Sequence, residues 1–180
     1  MNIFVLDSNP TVASTMLHDT HIVKMILESA QLLSTTHRLL GSPHKDLVYK
    51  ATHKNHPCAL WVRETRGNYQ WLFKHFVGLL KEYELRFGKV HACNRLLPYL
   101  SYNPVPIQEG LTSFVMAMPD EYKHDSPVVA YRRYYVGEKM VMKRGVASWR
   151  KDRVPEWLLS MGVVIDVLED RKVYKGMRTL

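Results

Sequence analysis

Between Thr20 and Leu40 the chain carries an imidazole, an ammonium, a carboxylate and an amide at a spacing that a helix gathers on one side. At 100° per residue, His21, Lys24, Glu28 and Gln31 fall within roughly 80° of one another. Their neighbours Ile22, Val23, Met25, Ile26, Leu27, Ala30, Leu32 and Leu33 are apolar. The polar groups therefore form a narrow seam, unlike the broad charged face of an ordinary surface helix. Two readings fit. The seam is a solvated stripe in which a Lys24–Glu28 pair four residues apart adds a few tenths of a kcal/mol. Alternatively, Glu28 is a carboxylate tuned by Lys24 and His21 in a cleft, suited to acid–base work near neutral pH.

A second group of reactive side chains runs through Thr52-His53-Lys54-Asn55-His56-Pro57 and continues with Trp61, Arg63, Asn68, Tyr69 and Trp71. Imidazoles and a lysine at a helix start resemble a phosphate-binding corner, because backbone N–H groups there attract anions. Lys54, His56, Arg63 and Asn68 are the DNA-contact candidates of this group. Trp61 and Trp71 suit base stacking, but large aromatics are more often core residues. His53, His56 and Cys58, or His91 and Cys93, could contribute zinc ligands, yet no CxxC or HExxH spacing is present. No metal and no cofactor is expected.

These groups need elements to position them. Ser8-Asn9-Pro10 is a helix-start signal for a first helix to about Leu17. The seam helix follows from about Thr20 to Leu40 and stops at Gly41. Asn55-His56-Pro57 opens another helical region ending at Gly88, with Gly67 as its weak point. Five Pro and Gly residues between Pro98 and Pro119 indicate a long irregular connection near 98–120, a length more often functional than decorative. Ser126-Pro127 starts a last helix carrying Tyr131, Arg132, Arg133, Tyr134 and Tyr135, and only 163–167 reads as a strand. The expected fold is all-α, or α with minimal β: one compact helical bundle spanning 1–180.

Composition fits that fold. With 46% hydrophobic residues, 180 residues can bury a core unaided. Two cysteines are too few for a disulfide framework, and the opening run Asn2–Leu6 lacks the flank and length of a signal peptide. No membrane span is expected, and the chain reads as cytoplasmic. Lys and Arg outnumber Asp and Glu 25 to 17, giving a net charge of +8. Between Lys123 and Arg153 the count is nine against three. Such an excess favours a polyanionic partner, because neutralised phosphates release counterions. Charge alone says nothing about chemistry.

Leu17-His18-Asp19-Thr20-His21-Ile22, with Glu28 seven residues after the histidine, resembles the pyrimidine-dimer DNA glycosylase/AP-lyase family, the small phage-type UV endonucleases. Weaker echoes are Glu82-Tyr83-Glu84-Leu85-Arg86-Phe87-Gly88 and the Tyr-rich basic segment Tyr131–Tyr135. The whole chain is also similar to phage proteins bearing its Lys54-Asn55-His56-Pro57 and Met118-Pro119-Asp120-Glu121-Tyr122 signatures. The resemblance implies double-stranded DNA as partner and a neutral amine that attacks C1′ of the damaged nucleotide. It implies Glu28 as the catalytic carboxylate and His21, Arg132 and Arg133 among the DNA contacts. In that family the amine is the terminus left by methionine removal ahead of a small residue. Asn2 is too large for efficient removal, so the amine here is that of Met1 or of Lys24, or the lyase step is absent. An α-amine near 8 supplies more free base at neutral pH than a lysine near 10.4. Besides excision of a damaged or modified pyrimidine, two alternatives remain: an enzyme acting on a hypermodified phage base, and a non-catalytic DNA-binding or host-interaction protein.

Overall fold

Asn9 opens the helical part of the chain by a side-chain cap, its Oδ1 accepting from Thr11 and Val12 N–H ahead of α1, Pro10–Thr15. The computed structural model describes residues 1–106, 108–143 and 145–178. His18 caps α2, Asp19–Leu39, the helix expected from about Thr20 to Leu40. His56 caps α3, Pro57–Glu64, and Thr65 caps α4, Arg66–Phe87. The break between them falls at Thr65, not at Gly67, because the Thr65 hydroxyl both caps Asn68 N–H and donates to Gly110 O at 2.7 Å. Gly67 has another reason to lack a side chain: a Cβ there would lie 1.9 Å from Gly110 O. Gly88, at φ +64°, closes α4 in the left-handed conformation that glycine adopts without strain.

The irregular connection begins later than expected, since Leu97–Leu100 forms a short helix, α5. Ser126 then caps α6, Pro127–Lys139. The remainder corrects the all-α expectation. Five short strands form two antiparallel sheets among the described residues: a hairpin of β1 (Val141–Met142) with β2 (Gly145–Val146), and a three-stranded sheet in the order β3-β5-β4. Here β3 is Ser148–Arg150, β4 Val163–Leu168 and β5 Arg171–Met177, with α7, Glu156–Ser160, between β3 and β4. The lone strand expected at 163–167 is thus β4, and it pairs with β5, whose Arg, Lys and Gly content hides it from a hydropathy reading.

Buried apolar side chains from Ile3 to Val163 form one contiguous cluster. Ile3–Leu6 runs through it as an almost wholly buried thread. Trp61 and Trp71 belong to that core. Where α1, α2, α4 and β3 meet, the core turns ionic. Arg86, without solvent access, donates to Glu82 at 2.9 Å, to Asp19 at 3.1 Å, and to the carbonyls of Leu17 and Thr15, each at 2.8 Å. Asp19 also accepts from the Arg150 N–H and the Ser148 hydroxyl, and Arg153 reaches Glu82 at 3.1 Å. Removing the guanidinium would leave two buried carboxylates with only the partly exposed Arg150 and Arg153 as counter-charges. Arg86→Leu should cost about 3–5 kcal/mol in urea unfolding, whereas a change under 1 kcal/mol would show the cluster to be structurally idle.

Candidate active site

Glu28 sits on the third turn of α2 with its side chain 13% exposed, and it faces the beginning of the chain. Its Oε2 accepts from the Asn2 N–H at 3.0 Å and lies 4.0 Å from the Met1 amino group. Its Oε1 is 3.5 Å from Lys24 Nζ. One carboxylate therefore holds two primary amines, of different character. Lys24 is 62% exposed and free to swing, while the Met1 side chain is 3% exposed and tucked in.

The terminus is held by Asn2. Its Nδ2 donates to Ala117 O at 2.9 Å, and its Oδ1 accepts from Ile3 N at 2.8 Å. The Tyr131 hydroxyl lies 3.1 Å from that Oδ1 and 2.8 Å from Val115 O, so its one proton bridges two acceptors. Burial pushes the Tyr131 phenol up, which keeps it a donor. Beneath, the Cys58 thiol points at Asn2 Oδ1 at 3.7 Å. Burial pushes that thiol up to about 11, so it is protonated at neutral pH and is no nucleophile. The sequence flagged Asn2 only as a bar to methionine removal, and Tyr131 only within a basic segment. Their distant partners, at Ala117 and Val115, leave no local signal.

The other candidate residues divide. His56 caps α3 through Nδ1, stays half-buried, and is held below the usual imidazole range first by burial and then by the terminal ammonium. It thus borders the site. Lys54 is exposed, and Arg63, half-buried, donates to the Lys54 and Ala59 carbonyls. Arg133 is exposed on α6. Three candidates do not face a ligand. His21 is buried between Phe4, 4.9 Å away, and His18, 4.0 Å away, with Nδ1 against the Tyr135 hydroxyl at 3.0 Å. Burial, then His18, Lys24 and Lys139, brings it down to about 2, so it is a neutral core group. The seam is open only from Lys24 onward. Asn68 is buried and saturated by Trp61 O, Glu64, and both the N–H and hydroxyl of Thr112, fixing the long connection to α4. Arg132 spends its charge inside the protein, donating to Leu6 O at 2.9 Å, stacking over Trp157 and facing Asp7.

Two hollows flank the site. One, about 420 Å³, begins at Lys24 and is lined by Val23, Phe87, Ser148, Arg150 and Arg171. The other, about 430 Å³, runs along α3 from Pro57 to Leu60, Trp61 and Glu64, under Ser113 and Val115. Among the described residues, no three His, Cys, Asp or Glu side chains gather as metal ligands. No helix is long and apolar enough to cross a membrane.

A family model for pyrimidine dimer DNA glycosylases matches residues 1–94. The chain belongs to this family. The matched span contains Glu28, Lys24, His56 and both halves of the Asp19–Arg86 pair, so the ionic cluster and the amine–carboxylate group both lie within it. Neither the comparison with curated proteins nor that with solved structures gives a match. Membership makes DNA the partner and glycosylase-type chemistry the function at family level.

The buried imidazoles make stability depend on pH. Burial holds His18 and His75 near 3 and His37 near 4, and holds His21 lower still. Unfolded, each titrates near 6.5. Below about pH 6.5 the unfolded chain binds protons that the folded protein refuses, so stability falls as pH drops toward 4, by up to about 1.4 kcal/mol per pH unit for each imidazole. His75 stacks on Trp71 and, among the described residues, neither of its nitrogens has a hydrogen-bond partner. His75→Phe should remove about one proton from the uptake on unfolding at pH 5.5, measured from the slope of unfolding free energy against pH. An unchanged slope would contradict this account of His75.

Proposed function

We propose that the protein is a glycosylase that excises a damaged or modified pyrimidine from duplex DNA, with the α-amine of Met1 as nucleophile and Glu28 as its catalytic carboxylate. The observation that carries this reading is the terminal amino group 4.0 Å from a half-buried carboxylate, at the end of a thread, Ile3–Leu6, that is buried in the core. A terminus is ordinarily loose. Tying one down beside a carboxylate costs chain entropy, and a reaction at that nitrogen accounts for the arrangement.

The chemistry follows from those two groups. The neutral amine bonds to C1′ as the bond from C1′ to the base breaks, and the base departs with that electron pair and takes a proton. The new ammonium loses a proton to Glu28, the nitrogen lone pair then opens the ring by breaking C1′–O4′ as Glu28 returns that proton to O4′, and C1′ becomes the carbon of a protonated Schiff base. That cation acidifies C2′, and loss of a C2′ proton expels the 3′-phosphate by β-elimination. Glu28 acts by stabilising positive charge at C1′ and by carrying protons, and a water-poor setting strengthens both. Lys24 is the alternative amine, but its exposure costs it the fixed approach that orientation rewards. Exposed Lys54 and Arg133 supply phosphate contacts.

A second reading concerns the substrate. The apolar hollow along α3, walled by Ser113 and Val115 of the long connection, favours a pyrimidine carrying a substituent over a bare lesion.

Borohydride trapping on dimer-containing, base-modified and abasic duplexes tests the proposal. The parent should give a covalent complex on Met1, located by peptide mass after intact mass has established the terminus. Glu28→Gln should lower excision by about 10²–10³-fold. A two-residue extension ahead of Met1 should abolish trapping, and Lys24→Ala should retain it. The reverse pattern would transfer the reaction to Lys24. No excision or trapping on any duplex would leave only a non-catalytic DNA-binding protein.

A further inference from the structure

The site lies between α2 and α6, and the two helices run in opposite directions past it. Tyr131, early on α6, reaches Asn2 beside Glu28, whereas Tyr135, one turn later, meets His21, two turns earlier on α2. The last turn of α6 ends at Lys139, whose Nζ stands 4.3 Å over the Tyr134 ring. The β1–β2 hairpin follows at once, with β2 beside β5 and its outer face exposed. Val141 pairs directly with Val146, so the two share one face, and they are 65% and 41% exposed. Lys143 and Gly145, at the turn, are exposed as well. The root is rigid: Ala147 N–H donates to Met140 O at 2.8 Å, and buried Trp149 packs edge-on against His18.

Two valines displayed on an exposed hairpin are costly in water, and the charge around them indicates what covers them. Residues 139–146 include three Lys and Arg and no Asp or Glu. The nearest acid before them, Glu138, accepts from the Tyr122 hydroxyl. A cationic rim around an apolar tip suits a nucleic-acid groove, where phosphates flank apolar sugar and base edges and where apolar side chains act as wedges.

We infer that the β1–β2 hairpin is a finger that enters a groove of duplex DNA, with Lys139 and Lys143 on the phosphates and the Val141/Val146 pair against the groove floor. It lies beyond the residues that the family model matches, so it is an addition to the matched half. Its place along the duplex rests on the proposed role of Glu28. The eight residues from Tyr131 to Lys139 span about 12 Å of helix, or about three to four base pairs at 3.4 Å each. The finger therefore grips the duplex that far from the reacting nucleotide and holds one side of a kink.

The experiment uses the Glu28→Gln protein on undamaged and dimer-containing duplexes, so binding is read without turnover. Salt-dependent anisotropy, end-to-end energy transfer and 2-aminopurine fluorescence three to four base pairs from the lesion are recorded. Lys143→Ala should weaken binding several-fold and reduce the slope of log affinity against log salt by about one. Val141→Ser/Val146→Ser should leave that slope unchanged, weaken binding about tenfold and diminish both the bend and the 2-aminopurine signal. Parental behaviour of both variants would overturn the inference. A valine double variant that binds DNA normally but changes oligomeric state would assign the face to protein contact instead. Hairpin-dependent binding by a parent protein that excises nothing would overturn the glycosylase proposal alone.

Discussion

A guanidinium sealed from water, with four hydrogen bonds to two carboxylates and two carbonyls, sets the position of everything else in the site. Arg86 cannot give up its charge, and an unpaired buried cation is prohibitive, so Asp19, Glu82 and the carbonyls of Thr15 and Leu17 must converge on it. That convergence fixes where α1 ends and where α2 begins. Once the first residue of α2 is set, helical geometry carries Glu28 to its place nine residues on, with no freedom to rotate away. The same Asp19 accepts from the β3 backbone, so the sheet is registered against α2 by the group that registers α4. A buried ionic cluster is a weak source of net stability, and its value here is geometric.

The second constraint is the buried thread at the start of the chain. Ile3–Leu6 is not paired in a sheet, and it borrows partners from the helices around it: Arg132 takes Leu6 O, and the Asn2 amide takes Ala117 O. The thread thus ends in a clamp on Asn2, not in free chain. The side chains that give the terminus its fixed direction, Tyr131 and the 115–117 backbone, come from the half of the molecule outside the matched family span, while the proposed nucleophile and carboxylate come from inside it. Reaction chemistry and the walls that receive a substrate are in this way separable in the sequence, although they are one structure in space.

What could be read in advance follows from the range of the interactions involved. Caps are local, and Asn9 and Ser126 show their helix starts within three residues, whereas the Thr65 cap, whose hydroxyl is also tied to distant Gly110, is obscured by the neighbouring Gly67. His18 and His56 also show theirs, although imidazole caps are outside the usual set. The Lys24–Glu28 pair is likewise a property of one helix. His21 failed as a surface candidate because a helical wheel gives direction but not depth: its neighbours Phe4 and Tyr135 come from elements far along the chain. Arg132 and Asn68 failed similarly, since a basic or amide side chain reads as a ligand contact until its carbonyl or carboxylate partner, remote in sequence, is known. The strands were hidden for a different reason. β5 is short-range in pairing but rich in Lys, Arg and Gly, and only its partner β4 carries a hydropathy signal.

The distribution of charge gives the last step. The excess of +8 is not spread over reactive positions, for several cations are consumed inside the fold: Arg86 by Asp19 and Glu82, Arg132 by Leu6 O and Trp157, Arg150 by Asp19 and Asp170. Counting charges therefore overstates the surface available to phosphates. Among the cations that face water, Lys24, Lys54, Arg133 and Lys143 stand on α2, on the turn before α3, on α6 and on the hairpin that follows it, while others such as Lys45, Lys81 and Lys89 lie elsewhere on the surface. The first three elements carry Glu28, His56 and Tyr131 respectively, and the fourth grows from the end of α6. A polyanion drawn to those four charges would pass Glu28 and the two amines, of Met1 and Lys24, that its carboxylate holds.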